Sequence, residues 1–297
     1  MKKLTSAFLG LLLLGFMRPS VANVAEVNWL GRISLLGGAE SETFKRKDAV
    51  GGSAHGLALV EGLGVIPLTP QIGLQMSGDF QLGMGAGSKF GFQGGPVYGW
   101  SGGGLGSGGK AGLFLTDQFR FYNPAAGSTS NGLRSANLIW LTPAVAFYDL
   151  IPNTNLDIWY ANQLSRHTTV DGKFGDGTRD FAPTSQLRVA MNFFSGMLGG
   201  KDNTELTLGV QVNGLSGMDR GHALSGAGPV VGAAVMPWQN VEVQLLRFTM
   251  DNRNRHRVTS GVQFYFDKAN PTLLQLRRKY LEPTNLPGAA STHFSGF

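Results

Sequence analysis

The chain has 297 residues, 44 of them Gly, with 15% charged residues, no Cys and a formal net charge of +6. Without Cys there are no disulfides and no thiolate metal sites. A charge content well under the roughly 25% of soluble domains, with mean hydropathy close to zero, suits a chain that meets lipid on one side and water on the other.

Residues 1–25 have the form of a secretory signal: Lys2 and Lys3, an apolar run from Ala7 to Phe16, and small-residue cleavage sites after Ala22 or Ala25. The run is shorter than the roughly 20 residues a spanning helix needs. Loss of Lys2, Lys3 and Arg18 takes the charge from +6 to +3, too small an excess to indicate nucleic acid. The mature chain is expected to form one barrel domain over 26–267, followed by a tail over 268–297.

The first strand is expected over 27–37, with Val27, Trp29, Ile33 and Leu35 on one face and Asn28, Arg32 and Ser34 on the other. A long charged loop, 39–53, should follow. The second strand, 54–66, ends at Pro67; Glu61 shares parity with Leu57, Leu59 and Leu63, which suggests a bulge. The third, 71–83, is the cleanest: Ile72, Leu74, Met76, Phe80 and Leu82 alternate with Gln75, Ser77, Asp79 and Gln81. Successive strand side chains point to opposite faces, so this register builds one apolar and one polar wall.

The fourth strand, 89–100, sets Phe90, Phe92, Tyr98 and Trp100 against Lys89 and Gln93, and its aromatic end suits an interfacial belt. In the fifth, 110–122, Asp117 falls among Leu113, Leu115, Phe119 and Phe121, which again suggests a bulge or turn, at Thr116–Asp117. Seven more are expected over 137–149, 155–166, 181–195, 204–214, 229–236, 241–250 and 258–267. Twelve strands put the tight turns on one side and most of the long polar connections on the other, the pattern of a membrane barrel with short periplasmic turns. Ile66-Pro67, Ile151-Pro152 and Met236-Pro237 share a turn form, since Pro ends a strand by failing to donate to the ladder.

Past Asp267, residues 271–282 place Leu273, Leu274, Leu276, Tyr280 and Leu281 among Arg277, Arg278 and Lys279, an amphipathic helix. It could plug the barrel mouth, lie on the inner leaflet or bind a periplasmic partner. The alternative is a solvated tail, because an isolated helix this short is marginal.

The leader, alternating strands and loop asymmetry resemble the Gram-negative outer-membrane β-barrel class. A narrower likeness, to transporter barrels of the kind associated with aromatic-compound degradation, rests on Trp140-Leu141-Thr142-Pro143 and on Gly261-Val262-Gln263-Phe264-Tyr265-Phe266. The resemblance implies an all-β, antiparallel up-and-down transmembrane barrel in the outer membrane, in contact with lipid and lipopolysaccharide. The chain departs from the class in having residues beyond the aromatic end of its last strand.

Lumen-lining candidates are Arg32, Gln75, Asp79, Gln81, Lys89, Lys110, Arg188, Glu205 and Glu242. Mixed charges can line a water-filled pore or pair and close it; the many Gly and Ala at lumen positions favour a narrow open channel for a small solute. Arg253, Arg255 and Arg257 are expected at the outer rim, where guanidinium forks suit lipopolysaccharide phosphates or an anionic solute. No catalytic residue, metal or cofactor is assigned. Gly104 to Lys110 mimics a phosphate loop, but Ala111 stands where Ser or Thr must hold magnesium. A lipid hydrolase is the enzymatic alternative; it needs a base beside a nucleophile, and only Ser53 near His55, or His293-Phe294-Ser295 in the tail, offers one. A structural or adhesive barrel acting through its outer loops is the third reading.

Overall fold

A computed structural model describes residues 30–46, 49–83, 87–102, 106–122, 134–170, 173–174, 185–197, 200–213, 226–252, 255–267 and 270–281. The expected leader therefore lies outside the described residues. The strands are β1 (Leu30–Arg46), β2 (Ala49–Pro67), β3 (Ile72–Gly83), β4 (Gly87–Ser101), β5 (Gly108–Tyr122), β6 (Arg134–Tyr148), β7 (Thr154–Val170), β8 (Lys173–Phe174), β9 (Ser185–Ser195), β10 (Thr204–Asn213), β11 (Gly226–Trp238), β12 (Val241–Asn252) and β13 (Arg255–Tyr265), followed by helix α1 (Leu273–Lys279). Each strand pairs antiparallel with its neighbours in sequence, except that β8 pairs only with the outer end of β7, while β7 also pairs with β9. Pairing of β1 with β13 closes a barrel of 12 staves.

Closure follows from the solvent. Lipid offers no partner for a strand's N–H and C=O groups, so a spanning sheet must have no edge. The sequence supports that by alternation: on β3, Ile72, Met76, Phe80 and Leu82 are exposed on the outside, while Gln75, Asp79 and Gln81 are buried inside. The same split holds on β10, with Leu206, Leu208 and Val210 outward and Glu205 and Gln211 inward, and on β13, with Phe264 outward and Gln263 and Tyr265 inward.

Three local expectations are corrected. Strand β2 keeps an unbroken register with both β1 and β3 through Glu61, with no bulge. Its Leu57, Leu59, Leu63 and Val65 face the interior together with Glu61, so the barrel is partly apolar inside. Strand β5 is likewise regular at Asp117, which faces outward and accepts a hydrogen bond from Asn137 Nδ2 at 2.7 Å. A neighbouring amide supplies what a bulge was expected to supply. Finally, β1 and β2 pair as far as Arg46 opposite Ala49, so the long 39–53 loop is mostly a projecting hairpin.

Real register shifts occur elsewhere. Between Gln244 and Arg247 on β12 the pairing to β13 slips, with Leu245 and Leu246 both exposed. Strict alternation from Glu242 would have sent Arg247 to the lipid and Phe248 to the lumen. The slip places Arg247 with Thr249 on the interior parity instead. Of the three Pro turns, Pro67 ends β2 and Pro152 lies in the β6–β7 turn, whereas Pro237 sits inside β11 at an irregularity between Val235 and Trp238.

The short helix occupies the interior at the end of the barrel where both β1 begins and β13 finishes. Leu273, Leu276 and Tyr280 are almost fully buried and cluster with inward side chains from around the wall: Leu63, Val65, Val97, Phe114, Ala146, Phe194, Met236 and Tyr265. A narrow open lumen was expected from the many Gly and Ala at lumen positions. The overlooked signal was this ring of apolar residues, which needs an apolar partner to be buried.

The lipid-facing wall makes a direct prediction. Leu208→Arg, on the outer face of β10, should lower stability in lipid vesicles by about 2–4 kcal/mol if it lies near the bilayer midplane, while Leu208→Phe should be near neutral. Guanidinium unfolding followed by tryptophan fluorescence measures both.

Candidate functional site

The interior has two zones. Above α1, staves carry polar side chains that pair with one another. Glu61 and Asp79 sit directly opposite on β2 and β3, an arrangement that is repulsive by itself. Each has its own cation: Arg32 Nη2 lies 2.6 Å from Glu61, and Lys89 Nζ lies 2.9 Å from Asp79. Gln93 Nε2 donates to Thr116 Oγ1 at 3.0 Å, and Gln244 Nε2 to Thr259 Oγ1 at 3.1 Å. Arg257 Nη2 donates to Gln81 Oε1 at 3.0 Å. Since β13 and β3 are separated by β1 and β2, this bond crosses the lumen and narrows it.

The lower zone is α1 and its seat. A seven-residue helix would not persist alone in water, and its ends are therefore tied to the wall. Thr272 and Gln275 form a reciprocal capping box. Leu273 N–H donates to Asn203 Oδ1 at 3.0 Å, and Leu274 N–H to the Asp202 carbonyl at 3.2 Å. These partners come from the β9–β10 turn and take up N–H groups the first turn leaves unpaired. At the other end Lys110 Nζ donates to the Lys279 carbonyl at 2.5 Å, Tyr148 Oη to the Arg278 carbonyl at 3.2 Å, and Gln75 bonds both the N–H and the carbonyl of Leu281. Gly112 makes the close approach possible: a Cβ there would stand 2.9 Å from Leu281 Cδ1 and 2.8 Å from the Phe114 ring.

The basic triplet of α1 spreads across the mouth at this end of the barrel. Arg277 forks between two staves, with Nε 2.7 Å from Glu205 on β10 and Nη2 2.6 Å from Glu242 on β12. Its Nη1 also donates to Tyr265 Oη at 2.7 Å, and Tyr265 donates to Glu242 Oε2 at 2.5 Å. Arg278 bonds Asp149 at 2.6 Å and Asn155 at 3.1 Å and lies over the Tyr148 ring, while Lys279 pairs with Asp267. Between the zones a cavity of about 40 Å³ is lined by Trp159, Arg188, Asn192, Gln244, Arg277 and Tyr280, with the Arg188 guanidinium 5.7 Å over the Trp159 ring. That is room for a few waters at roughly 10–15 Å³ each.

All nine lumen candidates, Arg32, Gln75, Asp79, Gln81, Lys89, Lys110, Arg188, Glu205 and Glu242, are buried. Four of them, Gln75, Lys110, Glu205 and Glu242, converge on α1 or the residues flanking it. The outer-rim group divides: Arg253 lies outside the described residues, Arg255 is on β13 opposite Glu42, and Arg257 is buried against Gln81 instead of exposed on a loop. Ser53 and His55 lie on β2 opposite Glu42 and Glu40, but their side chains are outside what is described, as are His293 and Ser295. Among the described residues no group of three His, Cys, Asp or Glu could hold a metal. Lys110, the end of the phosphate-loop mimic, is an inward residue of β5 bonded to α1. Sequence reasoning missed Asp149, Asp267, Tyr148 and Asn155 as partners of the helix; their signal was proximity to the tight-turn end that the tail also reaches.

Asp149 lies in the β6–β7 turn, outside the spanning strands. Burial works against its ionisation, but hydrogen bonds from Arg278 and Ser107, the Arg278 charge and the Asn153 N–H outweigh it and hold the carboxyl below its ordinary range. Such a group favours the seated helix above its free value, about 3.9, and loses that contribution as pH falls through the lowered value. Amide exchange of 273–281 should therefore lose protection at acid pH, with a smaller pH response in Asp149→Asn. Gly112→Val should raise exchange in the same segment at neutral pH by crowding Leu281.

No family model matches the chain, and no curated protein does. Among solved structures it is similar to the translocator domain of autotransporter NalP from Neisseria meningitidis, at 12% identity and TM-score 0.48 over 81% of this chain and 90% of that one. It is also similar to the COG4313 outer membrane channel from Pseudomonas putida F1, at 11% identity and TM-score 0.44 over 84% and 100%. The third is the Pseudomonas putida toluene transporter TodX, at 8% identity and TM-score 0.39 over 80% and 88%. What the closed sheet and its apolar outer belt establish is a transmembrane β-barrel.

Proposed function

We propose that the protein is a channel or transporter for passive passage of small polar solutes, held closed at its periplasmic end by α1. The observation that carries this reading is the composition of the interior. Its upper zone is walled by side chains such as Arg32, Glu61, Asp79, Lys89 and Gln93, which suit a wet path, and its lower zone is filled by a short helix of the chain after β13. A barrel serving only as a scaffold has no need of that polar wall. Polar groups also exchange partners with water at little cost, whereas an apolar core does not. Arg253 and Arg255 are proposed contacts for lipopolysaccharide phosphates at the outer end. Catalysis is not part of the proposal.

Refolded protein in a planar bilayer should show discrete current steps at low open probability, and vesicles should admit smaller polar solutes faster than larger ones. Asp79→Asn, which leaves Lys89 without its carboxylate partner at the wall, should alter step size. A membrane that stays silent at every voltage, with no solute entry, overturns the channel reading.

A further inference from the structure

We infer that the bond from Arg257 to Gln81 is the size-selecting constriction of the pore, so that these two side chains set which solutes pass; this rests on the channel reading. The other upper-zone bonds described above join neighbouring staves and run along the wall. Arg32 reaches Glu61 between β1 and β2, Lys89 reaches Asp79 between β4 and β3, Gln93 reaches Thr116 between β4 and β5, and Gln244 reaches Thr259 between β12 and β13. Arg257 Nη2 instead donates at 3.0 Å to Gln81 Oε1 from β13 to β3, across three of the 12 intervals around the barrel. A bond along the wall leaves the lumen its width. A bond over a quarter of the circumference takes width away.

The register shows that long side chains, not adjacent backbones, make this contact. Gln81 stands opposite Leu59 of β2, Leu59 opposite Leu36 of β1, and Leu36 opposite Gly261 of β13. Arg257 is four residues from Gly261 along β13, so the pair is offset from any one ladder row and meets over the inner faces of β1 and β2. On β2 that face carries Leu57 and Leu59, both buried. Gln81 is 0% exposed and Arg257 3%, so the arc behind the bond is closed to water in this state.

The chemistry of the pair names what it favours. A guanidinium offers donors alone, while an amide offers a donor and an acceptor. A solute rich in hydroxyl groups replaces the bond it displaces with bonds of its own, whereas an apolar solute of equal size leaves buried polar groups unpaired. The constriction therefore admits hydroxylated solutes over apolar ones and sorts them by size. Both members are flexible side chains, which change rotamer without movement of the staves.

The test uses the full chain, which has no Cys of its own, in planar bilayers and in vesicles. Gln81→Ala and Arg257→Ala should each enlarge the current steps about twofold and speed entry of raffinose relative to glucose. Gln211→Ala, an equal truncation at a buried position of β10, should leave both readings unchanged. Gln81→Cys is a further variant, and it keeps the inference testable if Arg257→Ala does not fold. It should show the enlarged step, and a methanethiosulfonate reagent that attaches an ethyltrimethylammonium group should shrink the step again. Folded Gln81→Ala and Arg257→Ala proteins with unchanged steps and unchanged raffinose entry, or silent beside a conducting unsubstituted protein, overturn the inference. An equal gain in Gln211→Ala also overturns it, as does a labelled Gln81→Cys whose steps do not fall. Those results leave the channel reading standing, whereas silence in the unsubstituted protein and in every folded variant overturns both.

Discussion

In the hydrocarbon of a bilayer a strand's outer N–H and C=O groups have no water to bond, and the seam between β1 and β13 removes the sheet's last two edges. Much else in the molecule follows from that seam. It brings both ends of the barrel sequence to one side, so the chain after β13 emerges at the mouth it later fills. It also forces every stave to send alternate side chains into one shared interior. A bond such as Arg257 to Gln81 is possible only because closure turns residues far apart in sequence toward the same axis.

The interior meets its polar content in two ways. In the upper zone, wall groups pair with wall groups, and the opposed carboxylates Glu61 and Asp79 are each matched by a neighbouring cation. In the lower zone Glu205 and Glu242 take Arg277 from the helix. The apolar ring from Leu63 to Met236 is covered by Leu273 and Leu276 of the tail. The wall pairs with itself above and with the tail below.

Much of the fold was legible residue by residue. The alternation of Leu206, Leu208 and Val210 with Glu205 and Gln211 needs no neighbour to be read, because strand geometry alone converts it into faces. The lumen candidates followed from the same parity. The corrections arise where parity is ambiguous about which solvent each face meets: Leu57, Leu59 and Leu63 looked like a lipid face interrupted by Glu61, yet they are an inner face. Asp117 looked like a break in β5, yet Asn137 across the ladder satisfies it. Arg257 looked like a rim residue because the charges around it are dense, and its actual partner lies on a distant stave.

The amino-acid sequence by itself determined a membrane barrel of twelve alternating strands, the inward parity of its charged residues and an amphipathic segment after the last strand. These are local properties, set by periods of two and of 3.6 residues along the chain. Only the tertiary structure decided where that segment goes and what it holds. Arg277 meets Glu205 and Glu242, and Gln75 meets Leu281, because closure puts β3, β10 and β12 around one axis. No periodicity along the chain encodes which residues will share it.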